Sequence, residues 1–279
     1  MRRHPRSALL ALVAAWLLAA WPVAALAQNQ LAVEISPPNS RLSANPGDQL
    51  QASFNVTNSG NLPVSLSVVR SDGVLGPTGS LIPVASGSLP QSLTSWLTTS
   101  TSQLELAPQQ TTELRYSIDV PKDATPGTHW GLILVRNGSP GGSADNGHAV
   151  GVDYVTQLAY VVYVDVGQGQ ATGKVTDIKV AQAPANSKHR GEIAQVGFQN
   201  TGDSLMVMRG RLELRSLDGT LVKTYTIGSM PVLPGGFSIL EVNLDPSLQA
   251  GTYLATAVLN DGSPRLIAGQ AQIEVRPTP

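Results

Sequence analysis

Cysteine is absent from all 279 residues of this sequence. Disulfide bonds, thiolate metal sites and cysteine nucleophiles are therefore excluded. Histidine is also scarce, with four residues, and His4 lies near the amino terminus. A zinc site would need carboxylate ligands at a spacing that the sequence does not show. We expect no metal and no other cofactor.

Charge is sparse as well, because Asp, Glu, Lys and Arg make up only 13% of the chain. Three of the 18 basic residues lie in the amino-terminal leader, so 15 remain against 19 acidic residues, a net charge of −4. A surface of this charge does not attract a polyanion. We therefore predict no nucleic-acid partner.

The leader begins with three arginines among its first six residues, and an apolar run follows from Ala8 to Ala20. Ala25-Leu26-Ala27 then places small residues just before Gln28. This is the pattern of a secretory signal peptide, and we predict cleavage after Ala27. The alternative is an uncleaved membrane anchor, since Ser7 to Ala27 is nearly long enough to span a bilayer.

No second apolar run of spanning length follows the leader. We therefore predict a mature chain without a transmembrane segment, exported to the periplasm, the medium or the cell surface. A leader without a lipid-accepting cysteine also argues against a lipoprotein.

The stretch from Leu104 to Arg136 carries the clearest structural signature. Apolar residues alternate with polar ones up to Pro121, as in a strand with one buried face. Pro126-Gly127 turns the chain, and the strand that follows is apolar on both faces, which indicates a central position in its sheet. The alternating apolar residues before the turn are Leu114, Tyr116, Ile118 and Val120.

The longest strand candidate runs from Ala149 to Val166, with apolar residues at alternate positions. Such a length predicts a bulge or a change of sheet near Thr156. Before it, residues 74–103 lack periodicity and form a surface excursion that contains Trp96. We interpret Trp96 as a plug over the end of the core, and the alternative is a platform for stacking a ligand.

The second half of the chain repeats the first. FNVTNSG at Phe54–Gly60 is matched by GFQNTG at Gly197–Gly202, and two further matches follow in the same order. They pair LELAPQQ with PVLPGG and PGTHWGLILV with AGTYLATAVL. We infer two copies of one sandwich unit, at residues 28–168 and 174–279, joined by a glycine-rich linker at 169–173.

Two units that each carry N-x-G, L-x-P and P/A-G-T resemble the WxL-interacting proteins of bacterial cell surfaces. The resemblance implies immunoglobulin-like domains, the first linked to peptidoglycan binding and the second to binding a host or partner protein. The fold class is thus expected to be all-β, with two immunoglobulin-like β-sandwich domains in tandem after a cleaved signal peptide. The matching residues are Leu106, Pro108, Pro121, Pro126, Gly127 and Gly131.

The chain also resembles the periplasmic chaperones of pilus subunits, which have two immunoglobulin-like domains. In that family the last strand of the first domain is lent to a pilin by donor-strand complementation. An arginine and a lysine hold the carboxyl terminus of the subunit. Arg41 corresponds loosely to the arginine, and no lysine lies in Ala149–Val166. The residues at the place of the lent strand are Leu158, Tyr160, Val162 and Val164.

Catalytic motifs are missing. His129 follows a turn close to Asp123, but no nucleophile pattern accompanies them, so we interpret His129 as a strand histidine. The sequence predicts a non-catalytic envelope protein that recognises peptidoglycan or another surface protein through exposed strands and loops. The alternative is a pilus-type chaperone. A free edge at Leu158–Val164 would favour strand donation, and hydrogen bonds to neighbours on both sides would exclude it.

Overall fold

Strands form all the regular structure that the computed structural model describes, which covers residues 32–137, 156–185, 189 and 191–276. The first ten are β1 (Val33–Ser36), β2 (Asn39–Ala44), β3 (Gln49–Asn58), β4 (Val64–Leu75), β5 (Leu81–Val84), β6 (Leu97–Thr99), β7 (Gln103–Leu106), β8 (Thr111–Asp119), β9 (Gly127–Asn137) and β10 (Gln157–Val166). The remaining seven are β11 (Gly173–Gln182), β12 (Glu192–Asn200), β13 (Met206–Arg215), β14 (Leu221–Val232), β15 (Phe237–Asn243), β16 (Gly251–Asn260) and β17 (Ile267–Val275). In this part of the chain, no helix is long and apolar enough to cross a membrane.

The first sandwich packs two sheets face to face. One has the strand order β1-β3-β8-β6, and the other has the order β2-β10-β9-β4-β5, with β7 added to β4. Strand alternation explains the core, because Phe54 and Leu114 point inward while their neighbours Asn55 and Arg115 are exposed. The ring of Phe54 stacks on Tyr160 of the facing sheet, with centroids 4.0 Å apart.

Strand β9 is the central strand of its sheet, as its two apolar faces predict. It lies between β10 and β4, and its residues from Gly127 to Val135 are all buried. Leu132 and Ile133 point to opposite faces and are both fully inaccessible. Pro121 and Pro126 bound the turn before it, and β8 accordingly ends at Asp119.

The second sandwich has the sheets β11-β12-β15 and β14-β13-β16-β17. Its core is separate from the first, with Phe198, Leu212 and Leu259 among its fully buried residues. Two tandem immunoglobulin-like β-sandwiches are thus confirmed. The boundaries at 28–168, 169–173 and 174–279 stay a prediction, and the signal peptide lies outside the described residues.

The repeat in the sequence is also a repeat of turns. Gln109 follows Pro108 and Gly235 follows the matching Pro234, and both have positive φ, 60° and 68°. At the P/A-G-T motif, a histidine takes the place of a tyrosine. Nε2 of His129 lies 2.9 Å from the Thr125 carbonyl, and the Tyr253 hydroxyl donates to the Gln249 carbonyl at 2.7 Å. Both side chains therefore tie a strand to the backbone four residues earlier.

The excursion at residues 74–103 is tied to the first sandwich. The buried carboxylate of Asp72 accepts hydrogen bonds from the Leu89 N–H at 3.1 Å and the Ser92 hydroxyl at 2.6 Å. Trp96 packs against the first core and against His129, with ring centroids 4.5 Å apart. This contact agrees with a plug over the core, and the interpretation of Trp96 stays a prediction.

Apolar residues also join the two sandwiches. Trp130 and Tyr163 of the first contact Leu205 and Leu233 of the second in one buried cluster. The turn after β4 reaches across as well, since the Pro77 carbonyl accepts a hydrogen bond from the N–H of Ile239 in β15 at 2.7 Å. The second sandwich therefore contacts the first at both of these places.

Candidate functional site

Strand β10 is covered along only one half. Its whole length, Gln157–Val166, pairs antiparallel with β9. On the other side, β2 pairs in parallel with Val161–Val166 alone. No described residue pairs with that side of Gln157–Tyr160. We call these four residues the open half of β10.

The open half arises because the chain passes from one sheet to the other between β1 and β2. Ser36 of β1 pairs with β3 in one sheet, and Asn39 of β2 pairs with Val161 in the other. Between them lie Pro37 and Pro38, which have no N–H to donate to a ladder. The chain therefore crosses from sheet to sheet at these prolines, and the line of β2 begins only at Asn39.

Alternation along β10 shows which backbone groups are free. The N–H of Val161 donates to the Pro38 carbonyl at 3.2 Å, so the backbone groups of Val161 point away from β9. Those of Ala159 and Gln157 point the same way, because direction alternates between successive residues. Two N–H and two C=O groups are thus presented at the edge, which is a template for an added strand.

The four side chains predicted from the sequence do not share one free edge. Val162 and Val164 lie on residues that are paired on both sides, and both side chains are fully buried. Tyr160 belongs to the open half, but its side chain is buried in the core. Leu158 is half-buried on the same half. Strand β2 thus covers the second part of Leu158–Val164, and only its first part lies at an edge among the described residues. Donation by this stretch stays a prediction, and residues 149–155 lie outside the described residues.

Tyr160 is fixed by a chain of hydroxyl groups. Its hydroxyl lies 3.3 Å from that of Tyr116 in β8, which in turn lies 2.7 Å from the hydroxyl of Ser40 in β2. Burial raises the pKa of Tyr116 far above its ordinary value, against the smaller opposing effect of the Ser40 hydrogen bond. The open half therefore ends at Tyr160, a buried side chain held in the core by this chain of hydroxyl groups.

Arg41 lies on β2 opposite Tyr163, on the face of the sheet that is turned toward the second sandwich. Its Nε donates to Oδ2 of Asp165 at 2.6 Å, and Nη2 lies 3.4 Å from the Leu205 carbonyl. Oδ1 of Asp165 accepts from the Thr128 hydroxyl at 2.5 Å. The guanidinium is thus paired within the chain, and no lysine accompanies it on β10.

Thr128 and Asp165 were not among the residues singled out from the sequence. Thr128 binds the second sandwich through its Oγ1, which accepts from the Leu205 N–H at 2.8 Å, and through its N–H, which donates to the Asp203 carbonyl at 2.7 Å. Thr128 and Asp203 lie 75 positions apart in the numbering. Sequence spacing carries no signal for such a contact.

The described residues form neither an acid–base site at His129 nor a metal site. His129 is bound to a backbone carbonyl, and its buried Nδ1 has no hydrogen-bond partner in the described part of the chain. Among the same residues, no group of three or more His, Cys, Asp or Glu side chains is arranged to hold a metal ion.

The sequence matches no protein-family model and no curated protein. Solved structures with a similar fold include fimbrial chaperones. The class 5 fimbriae chaperone CfaA has a TM-score of 0.45 and 9% identity, over 86% of this chain and 98% of that one. The CupB2 chaperone of Pseudomonas aeruginosa has a TM-score of 0.40 and 12% identity, over 86% and 99%. A chain from the Salmonella enterica complex of the SafA pilin with the SafB chaperone has a TM-score of 0.42 and 12% identity, over 86% of this chain and 96% of that one. The resemblance to WxL-interacting proteins is not supported by these comparisons.

Proposed function

We propose that this chain is a non-catalytic, extracytoplasmic chaperone that binds subunits of the cell envelope by adding one of their strands to β10. The observation that carries the proposal is the open half of β10, where the outward backbone groups of Gln157 and Ala159 have no partner among the described residues and lie beside the buried side chain of Tyr160. Hydrogen bonds between main chains supply affinity in this mode of recognition, and alternate side chains supply specificity.

The position of the open half favours a chaperone over a scaffold that binds its partner permanently. An added strand would continue the line of β2, and its inward side chains would lie beside β1, where Val33 and Ile35 are only half-buried against the core. Apolar side chains of an incomplete envelope subunit would be shielded there from water. Export by the predicted signal peptide, with cleavage after Ala27, would bring the chain to that compartment.

The proposal is tested by placing a photo-crosslinking amino acid at Gln157 in cells that make this protein. A matched variant carries it at Gln51, which is exposed on the outer face of the other sheet. We expect an envelope protein to crosslink at Gln157 and not at Gln51, and pilins are the class of subunit to test first. Equal labelling at both positions would contradict binding at the edge.

A second variant, Ala159→Pro, removes one outward N–H without touching the ladder to β9. We expect it to fold and to lose the Gln157 crosslink. Co-sedimentation with purified peptidoglycan, undiminished in Ala159→Pro, would instead favour a wall-binding scaffold. Circular dichroism of the variant confirms that its sheets have formed.

A further inference from the structure

The open half of β10 and Arg41 are separate places on the same sheet. Asn39 pairs with Val161 and Arg41 with Tyr163, so Arg41 lies two residues beyond the point where β2 begins to cover β10. Arg41 is level with Tyr163, three residues past Tyr160, which at a rise of about 3.3 Å per residue is roughly 10 Å past the end of the open half. An added strand that continues the line of β2 would therefore end at Pro38. The first residues of β2 would then separate the end of that strand from Arg41.

Arg41 is also occupied. The carboxylate of Asp165 accepts a hydrogen bond from Nε of Arg41 at 2.6 Å, and the Leu205 carbonyl lies 3.4 Å from Nη2. An incoming carboxylate would have to displace Asp165 or lie beside it, and two like charges at that distance repel each other. The Asp165 carboxylate is held in place by Thr128, whose hydroxyl also binds the second sandwich. Displacement would thus loosen the contact between the two sandwiches.

The surroundings of the open half define the pattern of side chains that fits there. Inward positions of an added strand face the seam between β1 and β10, next to half-buried Ile35 and Leu158. Outward positions lie next to exposed Gln157 and Asn39. Apolar residues therefore fit one face of the added strand and neutral polar residues the other.

From this geometry we infer that the partner segment is an internal strand of alternating apolar and neutral polar residues, recognised without a terminal carboxylate. The inference rests on the proposed function and specifies its partner. A chaperone of this kind accepts a segment from the middle of a subunit as readily as one from its end. Arg41 serves the junction of the sandwiches through Asp165 and Leu205.

The test uses a short synthetic peptide of alternating valine and threonine, prepared once with a free carboxyl terminus and once as the carboxamide. Binding of both to the full mature protein is measured by fluorescence anisotropy. We expect dissociation constants within about threefold of each other and a loss of at least about tenfold for both peptides in Ala159→Pro.

A preference of about tenfold or more for the free acid would overturn the inference, and loss of that preference in Arg41→Gln would assign the carboxylate to Arg41. The proposed function would survive this result if Ala159→Pro still weakened both peptides. Failure of both peptides to bind would contradict addition of a strand at β10, and the inference with it.

Discussion

Asn58 and Asn200 share three matching hydrogen bonds in the two sandwiches, and Asn58 also donates to the Ala107 carbonyl at 3.1 Å. Each side-chain amide donates to the carbonyl four residues later and to the carbonyl of the residue two positions before a matched proline, Pro108 or Pro234. Each Oδ1 accepts from the glycine N–H two residues later, at 3.0 Å in both cases. The partners are Leu62, Leu106 and Gly60 for Asn58, and Ser204, Val232 and Gly202 for Asn200. The repeated N-x-G motif is therefore a buried tether between two turns.

Replacing Asn58 by aspartate tests this tether. A carboxylate cannot donate to the Leu106 carbonyl, and Asn58 is fully inaccessible to solvent, so the charge would be buried without a counter-ion. We expect Asn58→Asp to lower the free energy of unfolding by about 3 kcal/mol in urea titrations. The same change from amide to carboxylate at exposed Gln51 should cost less than about 0.5 kcal/mol. Equal effects at the two positions would disprove the tether.

Gly127→Ala should weaken the junction of the sandwiches. A Cβ at Gly127, where φ is +121°, would lie 2.5 Å from the Asp203 carbonyl oxygen, the acceptor of the Thr128 N–H. The equivalent Gly251 has nothing within 4 Å of such an atom. We expect Gly127→Ala to destabilise the protein by about 2 kcal/mol more than Gly251→Ala and to speed amide exchange at Thr128. Unchanged exchange at Thr128 would count against this contact as the cause.

Asp245 should make stability sensitive to acid. Hydrogen bonds from Lys223 and Ser247 hold the pKa of this carboxyl well below its ordinary value. Its contribution is therefore present above an unfolded pKa of about 4 and is lost as the pH falls through the lower folded value. We expect Asp245→Asn to flatten the fall in the urea midpoint below about pH 4.

Lys223→Met removes the larger of the two causes, since Nζ of Lys223 lies 2.9 Å from Oδ2 of Asp245. It should flatten the same pH profile in part. A profile that stays as steep as that of the unaltered protein in both variants would show that Asp245 does not determine the acid response.

Tyr253→Phe isolates the hydrogen bond at the corner before β16. It removes only the hydroxyl that donates to the Gln249 carbonyl at 2.7 Å, and we expect a loss of about 1 kcal/mol in the free energy of unfolding. Tyr163→Phe is the control, because the hydroxyl of Tyr163 makes no hydrogen bond within the described residues. Losses of the same size in both variants would assign the effect to something other than the corner.

Several parts of the fold could be predicted from local pattern. The alternation around Leu114 and the two apolar faces of β9 identified the strands, because side chains on a strand repeat every two residues. Pro121 and Pro126 marked a turn, since proline cannot donate to a ladder. The matching N-x-G motifs identified the second unit.

The candidate site could be predicted only in part. Alternation from Leu158 to Val164 is the same whether a strand is at an edge or between two partners, and so it could not show that β2 covers Val161–Val166. Likewise, the charge of Arg41 was visible in the sequence, but its pairing with Asp165 was not, because 124 positions separate them.

Local chemistry in the sequence thus determined the strands, the turns and the duplication of the sandwich, since these depend on neighbouring residues. Only the tertiary structure decided which strand borders which. The open half of β10 results from the crossing at Pro37 and Pro38. That crossing depends on pairing between distant segments, which their separation along the sequence does not reveal.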